Sequence, residues 1–159
     1  MRFSTQQVVW QEVPDEVSLT FLISGCQLGC RGCHSADSWD ESKGTVLDLD
    51  YLKQCLEKYR NLLTCVLFMG GEWHEVELIN LLKFIHENGL KTCLYTGLDL
   101  DEIKLLHPAL LDYLDFIKVG RFDIGLGGLE SPNTNQLFLD LKTGECLNHR
   151  FIKSKPLFS

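Results

Sequence analysis

The sequence has little positive charge and none of the patterns that bind nucleic acid. Its 15 Lys and Arg residues are outnumbered by 22 Asp and Glu residues, which gives a formal net charge of -7 over 159 residues. It contains no Lys/Arg run and no basic stripe with interleaved aromatics, so we expect no nucleic-acid partner. No apolar run approaches the roughly 20 residues of a membrane-spanning helix, so we expect no membrane insertion. Internal repeats and low-complexity tracts are also missing.

We also expect no secretory leader, because the N-terminal stretch MRFSTQQVVWQEV has no continuous apolar segment. We therefore expect a cytoplasmic protein. In that reducing compartment, seven cysteines are expected to be metal ligands or buried side chains rather than disulfides. With 45% hydrophobic and 23% charged residues, the composition indicates one globular domain over residues 1–159.

Extended and helical patterns alternate along most of the chain. Short apolar segments predict strands at 17–24, 64–71, 90–97 and 114–120, and helical spacing predicts helices at 49–63, 75–89 and 98–107. Strands that alternate with helices indicate parallel βαβ units. A closed eight-unit barrel needs roughly 250 residues, so we expect an open, curved α/β sheet. Its site should lie at the carboxyl ends of the strands.

Hairpins are expected at both ends of this pattern. Pro14 and Asp15 are turn residues between an extended segment at 6–13 and the first predicted strand. Near the C-terminus, a turn at 142–144 indicates a final hairpin.

Three cysteines lie within eight residues on the loop after the first predicted strand. Cys26, Cys30 and Cys33 have the spacing C-x3-C-x2-C, and no fourth cysteine completes the set. A glycine directly precedes each of them and lets the backbone turn tightly near a ligand. Cysteine thiolates hold iron–sulfur clusters, usually four thiolates for a cubane. Three thiolates can therefore hold three irons and leave the fourth open to a substrate.

Three other interpretations fit part of this loop. A zinc site could combine the three cysteines with His34, although zinc ligands usually come as two separated pairs. The stretch CRGCH matches the C-x-x-C-H pattern of haem attachment but leaves Cys26 unexplained. The thiols could also be buried and inert, which a loop between glycines does not favour.

The remaining four cysteines show no second cluster. Cys55 falls on the apolar side of a predicted helix, and Cys65 and Cys93 lie in predicted strands. Free cysteine is among the most buried residue types, so we expect these three to be buried. Cys146 has no assigned role.

The order of the motifs resembles the radical S-adenosylmethionine superfamily. After the cysteine loop, the next predicted strand ends in Gly70, Gly71 and Glu72, the family's GGE. More narrowly, SGCQLGCRGCHSADSW, MGGEW, LYTG, VGRF and GGLESPNTNQ resemble the activating proteins of anaerobic ribonucleotide reductase. The resemblance implies an open partial (β/α) barrel with about four to five mainly parallel strands. It covers a core of about residues 17–136 and leaves a C-terminal tail, 137–159, of uncertain role.

The resemblance also implies a cofactor chemistry. Cys26, Cys30 and Cys33 would ligate a [4Fe–4S] cluster whose fourth iron chelates the amino and carboxylate groups of S-adenosylmethionine. An electron from the reduced cluster would cleave the sulfonium bond to give methionine and a 5′-deoxyadenosyl radical. The residues expected to bind the cofactor are Gly32, Cys33, His34, Gly70, Gly71, Glu72, Thr96 and Arg121.

Some of these roles have a physical reason. A carboxylate at Glu72 can accept hydrogen bonds from the methionine ammonium. Arg121 is a candidate for the cofactor carboxylate, and Gly32, Cys33 and His34 are expected to border the adenine or ribose.

The expected function is an activase that makes a glycyl radical on the large subunit of anaerobic ribonucleotide reductase. The electron would come from a low-potential donor such as flavodoxin or ferredoxin. A short sheet without insertions has little material to enclose a small substrate, which favours a protein substrate. One alternative is a radical enzyme that modifies another protein or a small molecule, such as a carboxy-deazaguanine-type synthase. Another is a non-enzymatic iron–sulfur or metal-binding module, which would not need the carboxylate of Glu72.

Overall fold

The computed structural model describes residues 1–33 and 35–152. Within these ranges the strands are β1 (Arg2–Val9), β2 (Ser18–Ile23), β3 (Thr45–Val46), β4 (Cys65–Met69), β5 (Lys91–Tyr95), β6 (Phe116–Val119) and β7 (Leu137–Asp140). The α-helices of the same ranges are α1 (Leu49–Lys58), α2 (Glu75–Glu87) and α3 (Leu100–Leu106). None of these helices is both long and apolar enough to cross a lipid bilayer.

The strands form one open, mixed sheet in the order β3–β1–β2–β4–β5–β6–β7. β2, β4, β5 and β6 pair in parallel, as the βαβ pattern predicts. β1, β3 and β7 pair antiparallel at the two sides of this group. The sheet of seven strands is larger than the four to five strands that the family resemblance implies. β3 was missed because two exposed residues show no periodicity.

Local signals set the helix ends. The Asp48 side chain accepts a hydrogen bond of 2.8 Å from the backbone amide of Tyr51 and so caps the start of α1. Asp99 and Glu102 form a reciprocal capping box at the start of α3. α2 stops just before Gly89, whose φ of +74° suits glycine in the last turn of a helix. The predicted helices are thus confirmed, although α1 ends five residues before the predicted end.

Alternation along the strands sorts the core onto two faces of the sheet. Leu19, Phe21 and Ile23 of β2 pack with the buried residues of all three helices. The opposite face carries a smaller cluster that contains Cys65 and Cys93, both fully buried. Cys55, in α1, is 6% exposed. The prediction that these three cysteines are buried is confirmed.

The C-terminal tail, as far as it is described, covers the face that has no helices. The ring of Phe138 in β7 lies 5.8 Å from that of Phe116 and 5.1 Å from that of Phe151. The Asn148 side chain accepts a hydrogen bond from the Phe138 amide and donates one to the Gln136 carbonyl, each 2.8 Å long. The tail therefore packs as part of this domain, and β7 with the Leu139–Cys146 bridge forms the final hairpin that the sequence predicts.

A buried carboxylate ties the amino ends of β5 and β6 together. Asp115 Oδ2 accepts hydrogen bonds from the Thr92 amide at 2.9 Å and from His86 Nε2 at 3.0 Å. Its Oδ1 lies 3.0 Å from Lys142 Nζ, and the side chain is 7% exposed. Burial raises the pKa of Asp115, but these hydrogen bonds outweigh it, so the pKa lies below its ordinary value. The folded structure therefore stabilises the ionised form of the Asp115 side chain.

We predict that Asp115→Asn lowers the free energy of unfolding by about 1–3 kcal/mol near pH 7, because buried donors lose a charged acceptor. Because the folded-state pKa is depressed, this contribution is present above the unfolded pKa of about 3.9. It is lost as the pH falls through the folded pKa. Urea unfolding at several pH values should show the difference from wild type shrinking in acid. Asp112→Asn, at an exposed position, is the control; a difference that is independent of pH would contradict the prediction.

Candidate functional site

The carboxyl ends of the parallel strands meet at one edge of the sheet, where a cleft of about 180 Å³ opens. The cleft is formed by the loop after β2, the turn after β4, the end of β5 and the end of β6. It brings together six of the residues expected from the sequence. These are Cys26, Cys30, Cys33, Gly70, Glu72 and Thr96.

The backbone of the cysteine loop turns sharply at each ligand. The three glycines that precede the cysteines have φ values of +106°, +61° and +75°, which residues with a Cβ rarely adopt. The Gly25 amide donates to the Ser38 carbonyl at 2.8 Å and closes the base of the loop. Inside it, the Cys33 amide donates to the Cys30 carbonyl at 3.1 Å. The tight turns that the glycines predict are confirmed.

The three loop thiols are free and half-buried. Burial raises the pKa of Cys26, and the nearby Glu72 carboxylate raises it further, while a backbone hydrogen bond from Leu28 acts against both. A coordinated metal cation would act in the opposite direction and favour the thiolate. The Ser35 amide already donates to Cys33 Sγ at 3.4 Å.

Across the described ranges, no group of three or more His, Cys, Asp or Glu side chains is close enough to hold one metal ion. In a cubane each thiolate binds its own iron, so the ligands do not converge on one point. His34, expected from the sequence as a cofactor contact or a zinc ligand, lies outside the described residues.

Glu72 is a buried carboxylate, and one of its two oxygens accepts no hydrogen bond from the described residues. It lies on the short 3-10 turn after β4 and is 4% exposed. Its Oε1 accepts a hydrogen bond of 2.8 Å from Thr96 Oγ1, whereas Oε2 is buried without a hydrogen-bond partner in the described part of the chain. Burial raises the pKa of Glu72, and the hydrogen bond from Thr96 only partly opposes this. A buried acceptor without a partner is costly, so a ligand with a donor fits this position.

Lys118 is a residue of the cleft that the sequence did not reveal. It lies in β6, lines the cleft and places its Nζ 5.5 Å from the ring centroid of Tyr95. Burial lowers the pKa of Lys118 to about 8, although the nearby Cys30 and Glu72 act in the opposite direction. A lysine inside an otherwise apolar four-residue strand was the available signal.

Other expected residues lie beside the cleft rather than in its lining. Arg121 makes a two-pronged ion pair with Glu102, with distances of 2.8 and 3.1 Å. Gly32 packs against Ile124, whose Cδ1 would lie 2.8 Å from a Cβ at that position. Gly71 has a φ of +111° and faces Ile23. Arg121, Gly32 and Gly71 are therefore not among the residues that line the cleft.

Comparison with known families adds to this geometry. Residues 16–134 match the family model described as "4Fe-4S single cluster domain", and this stretch contains the cysteine loop and the whole cleft except Gln136. The chain belongs to this family. The 4Fe-4S domain therefore takes up three quarters of the chain, and the iron–sulfur interpretation of the cysteine loop has independent support.

Two similar proteins are anaerobic ribonucleoside-triphosphate reductase-activating proteins. The one from Haemophilus influenzae is 29% identical over 116 residues, which cover 65% of this chain and 72% of the relative. The one from Pasteurella multocida is 30% identical over 115 residues, which cover 65% of this chain and 73% of the relative. The 4Fe-4S domain thus belongs to the activating-protein family, and the family resemblance drawn from the motifs is confirmed.

We predict that the cysteines of the iron-free domain differ widely in alkylation rate. Cys146 is exposed and should react first, with the half-buried loop cysteines next. Cys65 and Cys93 should react at least about a hundredfold more slowly than Cys146, since burial blocks access and raises the pKa of Cys65 to about 12. Peptide mass spectrometry after timed alkylation measures each rate. Equal rates for Cys65 and Cys146 would contradict the described core.

Proposed function

We propose that this protein is a radical S-adenosylmethionine activase. Cys26, Cys30 and Cys33 hold a [4Fe–4S] cluster, and the protein generates a glycyl radical on anaerobic ribonucleoside-triphosphate reductase. In this proposal the open sheet is the partial (β/α) barrel of the radical superfamily. The names of the two relatives and the match to a 4Fe-4S domain support it.

The observation that carries the proposal is the open oxygen of Glu72. A metal site or an electron carrier has no need for a buried carboxylate beside its cysteines, because the buried charge costs free energy without a partner. An ammonium group of a ligand would supply that partner. S-adenosylmethionine has such a group on its methionine end.

The positive charge of the cleft is suited to the carboxylate of an amino acid, as Glu72 is suited to its ammonium group. Lys118 carries the cation of the cleft, and a ligand carboxylate is its natural partner. We assign the methionine carboxylate to Lys118 rather than to Arg121, because Glu102 already binds the Arg121 guanidinium. Thr96 orients Glu72 by donating to its Oε1. Gly70 and Gly71 allow the end of the strand to approach the ligand, while Gly32 and Cys33 border the adenine or ribose.

When held by Cys26, Cys30, Cys33 and Glu72, the cluster and S-adenosylmethionine would supply one-electron reductive chemistry, which would convert a glycine Cα–H of the reductase to a glycyl radical and release methionine and 5′-deoxyadenosine. The chain's own residues bind the cluster and S-adenosylmethionine and orient them in the cleft. Met69 and Tyr95, which line the cleft, also pack against the apolar cluster around Phe138. The electron would come from a low-potential donor such as flavodoxin or ferredoxin, in an anaerobic and reducing compartment such as the cytoplasm.

A protein substrate fits the mouth of the cleft. Trp39 lines the cleft and is 40% exposed, and Ile124, beside the cysteine loop, is 64% exposed. Large apolar side chains at a site opening are typical of surfaces that a partner covers. A segment of the reductase large subunit would close the cleft over the cofactor.

Electron paramagnetic resonance tests the function directly. An anaerobic mixture of the reconstituted protein, S-adenosylmethionine, a reductant and the reductase should show a glycyl doublet, and 5′-deoxyadenosine should accumulate. Cys30→Ala should abolish both signals, whereas Cys55→Ala, in α1, should retain them. Formation of 5′-deoxyadenosine without a doublet would indicate another radical substrate. Absence of both from the wild-type mixture would overturn the proposal.

We predict that Glu72→Gln and Lys118→Met each weaken S-adenosylmethionine binding to the reconstituted protein by about tenfold or more, since hydrogen bonds to charged groups contribute about 1.5–3 kcal/mol. Calorimetric titration under anaerobic conditions measures the affinity. Glu87→Gln and Lys104→Met change the same residue types at exposed positions and serve as controls. Wild-type affinity in both cleft variants would remove these two residues from the site.

A further inference from the structure

Trp73 lies where the turn after β4 meets the base of the cysteine loop. Its indole Nε1 donates to the Ser24 carbonyl at 3.3 Å. A Cβ on Gly25 would lie 3.0 Å from Nε1, and a Cβ on Gly70 would lie 2.6 Å from Cη2. Both glycines have positive φ, a backbone conformation that other residues rarely adopt. The indole therefore packs against two backbone segments where a residue with a side chain would be strained and would also crowd the ring.

The loop base that Trp73 contacts is itself well held. The Ser24 amide donates to the Arg2 carbonyl at 2.9 Å, and Ser24 Oγ donates to the Lys43 carbonyl at 2.8 Å. The Gly25 amide closes the loop onto Ser38. Trp73 connects this anchored point to the turn that carries Glu72.

The next residue, His74, lies near a second side chain that packs at Gly25. His74 Nε2 lies 3.3 Å from Glu41 Oε1. The Cβ and Cγ of Glu41 would each lie 3.2 Å from a Cβ on Gly25. Trp73 therefore contacts the loop base directly, whereas His74 lies near it only through the Glu41 side chain.

We propose that Trp73 is a positioning residue, which holds the cysteine loop at a set distance from Glu72. The consequence for the cofactor rests on the proposed function, because the cluster and the amino end of S-adenosylmethionine must be bound at once by the loop and by Glu72. Residues that support ligands in this way commonly change metal affinity by about 10–100-fold when replaced. The mechanical part of the proposal concerns the chain alone.

Residue-resolved alkylation of the iron-free full chain tests the mechanical part. Trp73→Phe keeps an aromatic ring but loses the N–H donor, so the loop base should open more often and Cys26 should react about three- to tenfold faster, the effect of one lost hydrogen bond. Trp10→Phe is the matched control, since Trp10 is 62% exposed and away from the cleft. Cys146 calibrates the reagent, while Cys65 and Cys93 report on the fold.

Two outcomes would overturn the proposal. An unchanged Cys26 rate in Trp73→Phe and in Trp73→Ala would show that the indole does not hold the loop. Fast labelling of Cys65 and Cys93 in Trp73→Phe would show that Trp73 supports the whole core instead.

A pair of glycine variants tests the same contact from the other side. Gly70→Ala places a Cβ 2.6 Å from the indole and should displace it, which raises the Cys26 rate. Gly89→Ala has a similar positive φ, +74°, but its Cβ meets no atom within 4 Å. It pays the same backbone strain without touching Trp73. Equal Cys26 rates in the two variants would contradict the contact.

The consequence for the cofactor has a separate measurement. After anaerobic reconstitution, loss of the visible absorption to a chelator should be about tenfold faster in Trp73→Phe than in Trp10→Phe. If the wild-type chain takes up no cluster, the proposed function fails, and the alkylation result still decides the role of Trp73. If the cluster forms and both variants release it at the wild-type rate, the proposed function stands and the positioning role toward the cofactor fails.

Discussion

Parallel pairing of β2, β4, β5 and β6 is the constraint on which the site depends. Strands that run the same way end at the same edge, so segments far apart in the chain arrive at one cleft. Each parallel connection needs a crossover, and the helices that provide these crossovers all pack on one face. Irregular segments and the C-terminal tail cover the other face, where Phe138 and Phe151 belong to its apolar cluster. The cleft lies at the carboxyl ends of the four parallel strands.

Two buried charges give this cleft its chemical character. Burial raises the pKa of Glu72 and lowers the pKa of Lys118, so in each case the charged form is disfavoured until a partner arrives. Thr96 satisfies one oxygen of Glu72. A zwitterionic amino acid supplies an ammonium and a carboxylate together, so one ligand could stabilise both side chains. Perturbed pairs of this kind cluster at functional sites.

The cysteine loop is held to two neighbouring strands. At the end of β4, Trp73 packs against its base. At the end of β5, Leu28 packs so closely on Gly97 that a Cβ there would lie 2.3 Å from Leu28 Cδ1. A loop that contains three glycines with positive φ would otherwise sample many conformations. Contacts from outside the loop thus provide the order that its own sequence does not.

The sequence by itself determined the elements whose signals are local. Three features could be predicted because each follows from neighbouring residues or from periodicity. They are the tight turns of the cysteine loop, the burial of Cys65 and Cys93, and the parallel strands. The tertiary structure alone decided which side chains share the cleft. Lys118 becomes a residue of the cleft only when β6 is placed beside β5, and Arg121 gains its ion-pair partner only when α3 brings Glu102 to it. β3 and the contact of Trp73 with Gly25 also depend on segments distant in sequence, and the chemistry of a side chain becomes specific only when such contacts set its burial and its partners.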